Sequence, residues 1–275
     1  MLAKPVTRVV GAVLVPILAV TTVVLWGWPG ETERLFAWTI KPELTPMLMG
    51  AGYGSGVVFF GFVARGGRWL DVSFGFVGIA VFSTLMGIAT IIHWEKFNHD
   101  HPAFIGWLVL YAVAPFLIPG LWVSNGGWRP GPAVPPDREV PRWARGSLAV
   151  LGGGSFAIGL VIFVEPSLAI DHWPLDVSPL TARVVSSFLA LNVGWAVAAL
   201  DGRWSAIRIP CLSQLAGLTL LLLGILRGRG DLHTDRATTW IYLAFVAAMF
   251  ALLGWLVVAM PRREAAGSRP PVATT

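Results

Sequence analysis

The chain has 275 residues, of which 55% are hydrophobic and 13% are charged, and its formal net charge is +5. Soluble globular domains carry about 25% charged residues, so this composition excludes a soluble fold, which could not bury so much apolar surface. The single cysteine, Cys211, excludes an intrachain disulfide, a CxxC redox pair and a cysteine zinc site.

Eight apolar runs follow one another along the chain, and none has an Asp, Glu, Lys or Arg in its interior. A bilayer core requires about 20 apolar residues per helix, and the runs approach this length. Backbone groups in lipid must bond within their own segment, so the runs predict transmembrane helices, and they lack the alternation of barrel strands. In chain order the runs are 9–28, 45–63, 72–92, 103–123, 147–164, 184–200, 209–226 and 239–260.

The first run resembles a secretory signal peptide in one respect, because Lys4 and Arg8 precede or begin it. Its apolar stretch is longer than the roughly 7–15 residues of a signal core. The segment at its end, LWGWPGETE, has no small-x-small cleavage site. We therefore expect this run to be retained as the first transmembrane helix.

The two halves of the chain resemble each other in the order and spacing of several segments. Trp107 and Trp122 are 15 residues apart, as are Trp240 and Trp255. FAWTIKPELT, GGRWLDVS and NHDHPAFIGWLVLYAV in the first half correspond to DHWPLDVSPLT, DGRWSAIR and DLHTDRATTWIYLAFV in the second. This pattern predicts an all-α, polytopic membrane protein of eight transmembrane helices in two four-helix repeats. An even number of helices per repeat makes the repeats parallel.

The repeats divide the chain into four expected regions. Residues 1–124 and 147–261 are the first and second four-helix membrane units. Residues 125–146 are rich in proline and glycine and are expected to form a cytoplasmic linker. Residues 262–275 are expected to form a disordered cytoplasmic tail.

The charged residues are distributed unevenly between the two sides of the predicted membrane. The side that holds both termini has thirteen basic and five acidic residues, and the other side has seven basic and ten acidic residues. Short cytoplasmic loops are enriched in Lys and Arg, so both termini are expected in the cytoplasm and the protein in the plasma (inner) membrane. This bias explains the pI near 10.0 without a nucleic-acid partner. The expected partners are the lipid bilayer and, for a subunit, an unidentified membrane partner protein.

Two local patterns indicate how the predicted helices begin and pack. Thr45-Pro46 and Ser178-Pro179 each place a hydroxyl N-cap before a proline at the first helical position. The stretch GAGYGSG, residues 50–56, contains two overlapping GxxxG pairs, which permit close helix approach in lipid. Packing inside the bundle is favoured over dimerisation, because a chain with many helices offers many internal partners.

All five histidines lie on the predicted outward side, beside several carboxylates. Imidazole and carboxylate together suit Zn, Cu, Fe or Ni, so an outward metal site is one hypothesis. The alternatives are wet turns with helix caps, such as His101 or Asp100 before Pro102, and a pH sensor. No cofactor is predicted beyond this transition metal ion. The candidate metal ligands are His99, His101, His172, His233, Asp100 and Asp171.

Three functional hypotheses follow, and no Walker loop, GxSxG, HExxH or paired-carboxylate pattern adds to them. The first is a non-catalytic scaffold or subunit, which the missing midspan charges favour. The second is an outward-facing metal-binding protein or metal-dependent membrane enzyme. The third is a passive carrier of a neutral or apolar small molecule along a cleft between the repeats. The predicted cleft lining includes the most polar midspan side chains and consists of Gly52, Tyr53, Asn192 and Gln214.

Overall fold

A computed structural model describes residues 1–128 and 137–260. Eight spans within these residues are long and apolar enough to cross a membrane, so an all-helical membrane protein is confirmed. Helices α8 and α9 together form the sixth span. In chain order the helices are α1 (Pro5–Gly27), α2 (Thr32–Leu35), α3 (Leu44–Arg65), α4 (Ser73–Ile92), α5 (Pro102–Ser124), α6 (Arg142–Val164), α7 (Ser167–His172), α8 (Pro179–Ala190), α9 (Val193–Ala198), α10 (Trp204–Arg227) and α11 (Ala237–Ala259).

The predicted apolar runs match the spans one by one, although several helices extend beyond the apolar residues. Helix α6 begins at Arg142, before its apolar run. Helix α8 begins at Pro179, so Arg183 lies inside the sixth span. Long basic side chains bury their stems and keep their charge near the membrane surface, so a helix need not end where its apolar run ends.

One of the two predicted N-caps is confirmed and the other is wrong. Ser178 caps α8, and its hydroxyl accepts a hydrogen bond from the Thr181 backbone N–H (3.2 Å). Thr45 lies in the first turn of α3, which already begins at Leu44. The Leu44 N–H donates to a carboxylate oxygen of Asp231 (2.9 Å), which belongs to the other half of the chain. A tertiary contact therefore replaces the local cap.

Four of the spans form an inner group, and the other four surround it. The inner spans are α3, α4, α8–α9 and α10, in which 39–50% of the apolar window is buried, against 17–33% in the outer spans. Among the outer spans, α1 packs on α3, α5 on α4, α6 on α8–α9 and α11 on α10. The inner spans join the two halves, mainly through α3 with α10 and α4 with α8–α9.

Helix α4 crosses the sixth span at the break between α8 and α9. A Cβ atom on Gly78 would lie 2.3 Å from the carbonyl oxygen of Leu191, a distance that no side chain tolerates against backbone. Glycine at this position therefore allows the two backbones to touch, which is how helices in lipid gain close packing.

The glycines of the stretch 50–56 also pack inside the bundle. A Cβ atom on Gly50 would lie 3.1 Å from the backbone nitrogen of Trp26, and one on Gly52 would lie 2.4 Å from a ring carbon of Phe188. These neighbours belong to α1 and α8 of the same chain. The prediction that the stretch serves close packing within the bundle is confirmed.

The helix ends define two faces of the bundle. We call the face with the start of α1 and the end of α11 the terminus face, and the other the opposite face. Each half has a matching backbone hydrogen bond at each face. The pairs, with the donor first and N···O distances of 2.7 to 2.9 Å, are Ala3–Gly67 and Val140–Gly202 at the terminus face, and Asn98–Ala37 and His233–Pro174 at the opposite face.

Three expected regions lie wholly or partly outside the described residues, and for the second membrane unit, 147–261, this concerns residue 261 alone. The expected tail, 262–275, lies outside them, and so do residues 129–136 of the expected linker. The last residues of that linker belong to α6, which begins at Arg142. The polar composition of this segment therefore did not mark the start of the helix.

A buried carboxylate holds the expected linker against the second unit at the terminus face. Asp201 is 1% exposed and accepts hydrogen bonds from the Arg203 guanidinium and from the indole N–H of Trp128 (2.9 Å). Burial raises the pKa of this carboxyl, but the hydrogen bonds from Arg203 and Trp128 and the charge of Arg203 outweigh burial and hold the pKa below its ordinary value. The carboxylate therefore stabilises the fold above the ordinary pKa of an Asp, and this stabilisation is lost as the pH falls through the lowered pKa.

Asp201→Asn is expected to destabilise the protein by about 2–4 kcal/mol, because it removes the carboxylate that Arg203 contacts in a buried site. Glu31→Gln is the control, since Glu31 pairs with Arg34 (3.0 Å) where both side chains are more than half exposed, and its loss should cost at most about 1 kcal/mol. Unfolding in sodium dodecyl sulfate titrations measures both variants. Equal losses of unfolding free energy in the two variants would contradict the role assigned to Asp201. The difference in unfolding free energy between the wild type and Asp201→Asn should shrink as the pH falls below about 4, because the Asp201 carboxylate is then progressively protonated in the wild type.

Candidate functional site

A cavity of about 710 Å³ lies inside the bundle. Its lining comes from both halves of the chain, with α1, α3, α4 and α5 on one side and α8, α9, α10 and α11 on the other. Among the described residues, the lining contains no Asp, Glu, Lys, Arg or His. The lining includes the residues named above as a candidate cleft, Gly52, Tyr53, Asn192 and Gln214.

Two tyrosine hydroxyls form a polar spot in the cavity wall. Tyr53 on α3 and Tyr111 on α5 are each 4% exposed, and their hydroxyl oxygens are 2.9 Å apart. A hydroxyl buried in an apolar span is costly unless it is hydrogen-bonded, and this bond gives each hydroxyl oxygen one partner. One hydroxyl donates to the other, and the second O–H has no acceptor within residues 1–128 and 137–260. This O–H is available to a molecule in the cavity.

Aromatic rings hold the tyrosine pair in place. Phe188 packs edge-on against Tyr53, with ring centroids 5.5 Å apart. The ring of Phe82 lies 6.5 Å from that of Tyr53 and 6.1 Å from that of Tyr111. Trp107 packs on the other side of Tyr111 at 4.5 Å. Because the rings are fixed by their neighbours, the hydroxyl pair has a defined position in the wall.

Asn192 lies at the break between α8 and α9 and lines the cavity. Its amide nitrogen donates to the Ser155 hydroxyl (3.1 Å) and to the Leu189 carbonyl oxygen (3.1 Å). These bonds satisfy polar groups that a broken helix leaves open in lipid. Its Oδ1 is buried and has no partner in the described part of the chain. Gln214 on α10 adds a second amide to the lining.

The cavity opens sideways between α1 and α5, and we call this gap the lateral opening. Its rim residues line the cavity and are also 43–62% exposed on the outer surface. Helix α1 packs on α3 and helix α5 on α4, and α1 and α5 do not pack closely on each other. This surface faces hydrocarbon in a bilayer, so the opening leads to lipid. The rim residues are Val9, Val13 and Ile17 on α1 and Ile105, Val109 and Val113 on α5.

The lateral opening is bounded at both faces of the bundle. At the terminus face, Asn125 after α5 accepts a hydrogen bond from the Lys4 N–H (2.9 Å) and donates to the Thr7 hydroxyl (2.8 Å). At the opposite face, Trp38 packs on Trp107 of α5 with ring centroids 4.9 Å apart. The opening therefore lies at the depth of the hydrocarbon core.

The candidate metal ligands of the first half are hydrogen-bonded at the start of α5. His101 is the N-cap of α5, and its Nδ1 accepts from the Ala103 N–H (3.1 Å). The Nε2 atom of His101 is 3.0 Å from the Arg34 carbonyl oxygen, and a carbonyl only accepts, so Nε2 carries the proton. His99 donates in the same way to the Trp94 carbonyl oxygen (3.0 Å). The helix-cap alternative is confirmed for His101.

The candidate ligands of the second half do not converge in a metal-binding geometry either. His233 donates from Nε2 to Asp176 (2.8 Å), while His172 and Asp171 are exposed, as is Asp100 in the first half. The described ranges contain no group of three or more His, Cys, Asp or Glu side chains that could hold a metal ion. Metal binding would require the loops to rearrange, and it stays a prediction.

The apolar spans around this cavity identify the class of the chain, an integral membrane protein. No protein-family model, curated protein or solved structure matches it. Its function is therefore inferred from its own residues.

The sequence reasoning missed Tyr111, the partner of Tyr53. A signal was present, because a tyrosine inside an apolar run requires a hydrogen-bond partner in lipid, and the chain has only three tyrosines. Phe82 and Phe188 carry no comparable signal. Aromatic residues in apolar runs occur in protein cores, on lipid-facing surfaces and in cavity walls, so their residue type does not distinguish these environments.

His99→Ala and His233→Ala test the metal hypothesis. The hydrogen bonds of both imidazoles predict that the variants and the wild type, purified after exposure to Zn²⁺, have equal metal content by mass spectrometry. A stoichiometric metal that is present in the wild type and lost in both variants would contradict this expectation and support an outward metal site.

Proposed function

We propose that the protein is a binding protein or passive carrier for a neutral, largely apolar small molecule that enters from the bilayer. The cavity of about 710 Å³, with its lateral opening between α1 and α5, is the observation that carries the proposal. Ligand pockets in proteins commonly measure about 300–1,000 Å³ and combine apolar walls with a few polar groups. The lining of this cavity is likewise largely apolar and includes a few polar side chains.

The lining favours a neutral ligand and movement without ion coupling. An ionic ligand would be desolvated there without a counter-charge, because the described lining has no charged side chain. Proton- and ion-coupled transporters place ionisable residues within the membrane. A neutral molecule would instead move down its own gradient.

The tyrosine pair favours a ligand that carries a hydrogen-bond acceptor. The free O–H of Tyr53 or Tyr111 can donate to a carbonyl, ester or ether oxygen. In a low-dielectric wall such a bond is stronger than in water. A long-chain molecule with one carbonyl group fits both the apolar lining and this donor.

The other two hypotheses have less specific support. A scaffold requires only exposed apolar surface, which every membrane protein has. A metal-dependent activity requires ligands that converge, and the described imidazoles of His99, His101 and His233 are engaged in hydrogen bonds. A passive carrier, like a scaffold, has a non-catalytic role.

We also propose that the chain consists of two parallel four-helix repeats. The matching hydrogen bonds at both faces support this, and so does the packing, in which α1–α3 corresponds to α6–α8 and α3–α10 to α8–α4. The bonds Ala3–Gly67 and Val140–Gly202 support a second unit that begins near residue 138, earlier than the hydropathy pattern indicates.

We further propose that the terminus face lies in the cytoplasm and the opposite face outside the plasma membrane. The excess of basic residues at the terminus face supports this orientation. The only cysteine, Cys211, is 0% exposed, so introduced cysteines can be labelled against a low background.

Glu95→Cys at the opposite face is expected to react with a membrane-impermeant maleimide added to intact cells. Leu2→Cys, at a residue that is 71% exposed, is expected to react only after the membrane is permeabilised. The reverse labelling pattern would overturn the orientation. The wild type is the control for Cys211.

Gly106→Trp tests whether the cavity takes up a ligand. Gly106 on α5 lines the cavity, and a Cβ atom there meets no other atom within 4 Å, so an indole can occupy the open space. The probe is a long-chain ketone with a photoreactive diazirine, mixed into liposomes that contain the purified protein. Photolabelling of the variant is expected to fall at least about tenfold, equivalent to about 1.4 kcal/mol.

Gly120→Trp is the matched control. Gly120 lies on the same helix, a Cβ atom there also meets nothing within 4 Å, and it is not part of the lining, so labelling should be unchanged.

The double variant Tyr53→Phe and Tyr111→Phe should reduce labelling by the ketone about fivefold and leave labelling by a hydrocarbon probe unchanged. Equal labelling of the two tryptophan variants would overturn the proposal.

A further inference from the structure

Arg183 bridges two helix ends at the opposite face. It lies in the second turn of α8, and α4 and α6 both pack on α8 without packing closely on each other. Its Nε donates to the Phe163 carbonyl oxygen (3.0 Å), near the end of α6. Its Nη1 lies 2.7 Å from Nε2 of His93, directly after α4. The partly buried guanidinium therefore occupies the groove between α4 and α6.

The charge of Arg183 has no carboxylate partner within the described ranges, where the ion pairs involve other residues. A guanidinium has five N–H donors, and the hydrogen bonds to Phe163 and His93 leave three of them for another acceptor. A cation in a transmembrane span is costly and normally meets an anion. These donors therefore point to an anion that the chain itself does not supply.

The titratable neighbours of Arg183 do not neutralise its positive charge. The pKa of His93 lies below its ordinary value because of partial burial and the charges of Arg183 and Lys96. The imidazole is therefore neutral near neutral pH, and its Nε2 accepts from Arg183. Acidic residues outnumber basic ones at this face, ten to seven, so a local site with uncompensated basic charge is unusual there.

Exposed aliphatic side chains lie on α4 and α6 close in sequence to the residues that Arg183 contacts. Ile88 and Ile92 on α4 are 40% and 53% exposed, and Val161 on α6 is 55% exposed. A guanidinium near the membrane surface, with exposed aliphatic side chains on the adjacent helices, is complementary to a molecule with an anionic head and acyl chains.

We propose that Arg183, held between the ends of α4 and α6, binds the phosphate of an anionic phospholipid in the leaflet at the opposite face. The fork of a guanidinium matches two phosphate oxygens, and basic pockets between transmembrane helices bind anionic headgroups. This site is separate from the cavity, because Arg183 is not part of the cavity lining. The two proposals therefore stand or fall independently.

Native mass spectrometry of the purified full chain tests the proposal. The wild type is expected to bind phosphatidylglycerol in preference to phosphatidylcholine with the same acyl chains. Arg183→Gln is expected to reduce this preference at least about tenfold, because charge-assisted hydrogen bonds to the phosphate are lost. Arg34→Gln is the matched control, since it removes one positive charge at the same face from a side chain that is 70% exposed and paired with Glu31.

The proposal is overturned if the wild type shows no preference, if Arg183→Gln keeps it, or if Arg34→Gln removes it equally. Inorganic phosphate at millimolar concentration should not displace the lipid, and displacement would assign the site to free phosphate instead. Arg183→Lys keeps the charge and loses the planar fork, so a reduced preference is expected. If Arg183→Gln does not yield folded protein, an unchanged preference in Arg183→Lys overturns the proposal.

Discussion

The backbone contact between α4 and the break in the sixth span is the constraint on which the bundle depends. Gly78 allows α4 to touch the Leu191 carbonyl, and no larger residue fits there. Helices in lipid gain no hydrophobic free energy by associating, so close packing at small residues supplies the attraction. This contact fixes α4 against the sixth span, which is one of the two helix pairs that join the halves, beside α3 with α10. Each outer helix then packs on a single inner span, so α1 and α5 remain apart and the cavity lies behind them.

Hydropathy alone predicts the number and order of the spans, because lipid requires uninterrupted helices of about 20 apolar residues. The helix ends and the break at Asn192 are not predictable in this way. Arg183 extends a helix beyond its apolar run, since its charge is accommodated by groups from α4 and α6. The break is tolerated because the Asn192 amide bonds to Ser155, which is 37 residues away in the chain. These hydrogen bonds join residues that are distant in the chain, so no local sequence pattern predicts them.

The candidate site illustrates the same limit. Polar side chains in midspan are costly in lipid, so the positions of Tyr53, Asn192 and Gln214 already favoured an interior surface over a lipid-facing one. The hydroxyl pair with Tyr111 depends on how α3 and α5 are arranged, which the sequence does not specify. For His99 and His101, residue type favoured metal ligation as one hypothesis. Their hydrogen bonds to backbone groups depend on loop geometry, and residue type carries no information about that geometry.

For the apolar ligand proposed above, a lateral opening into hydrocarbon changes what determines the occupancy of the cavity. A molecule already dissolved among acyl chains sheds no water when it passes between α1 and α5, so the hydrophobic effect contributes little to its binding. Selectivity must then come from shape and from the polar groups of the lining, which are the free O–H of the tyrosine pair, Oδ1 of Asn192 and the amide of Gln214. The concentration that matters is the mole fraction of the ligand in the surrounding leaflet. Changes in membrane composition would therefore fill or empty the cavity even when the aqueous supply of the ligand is constant.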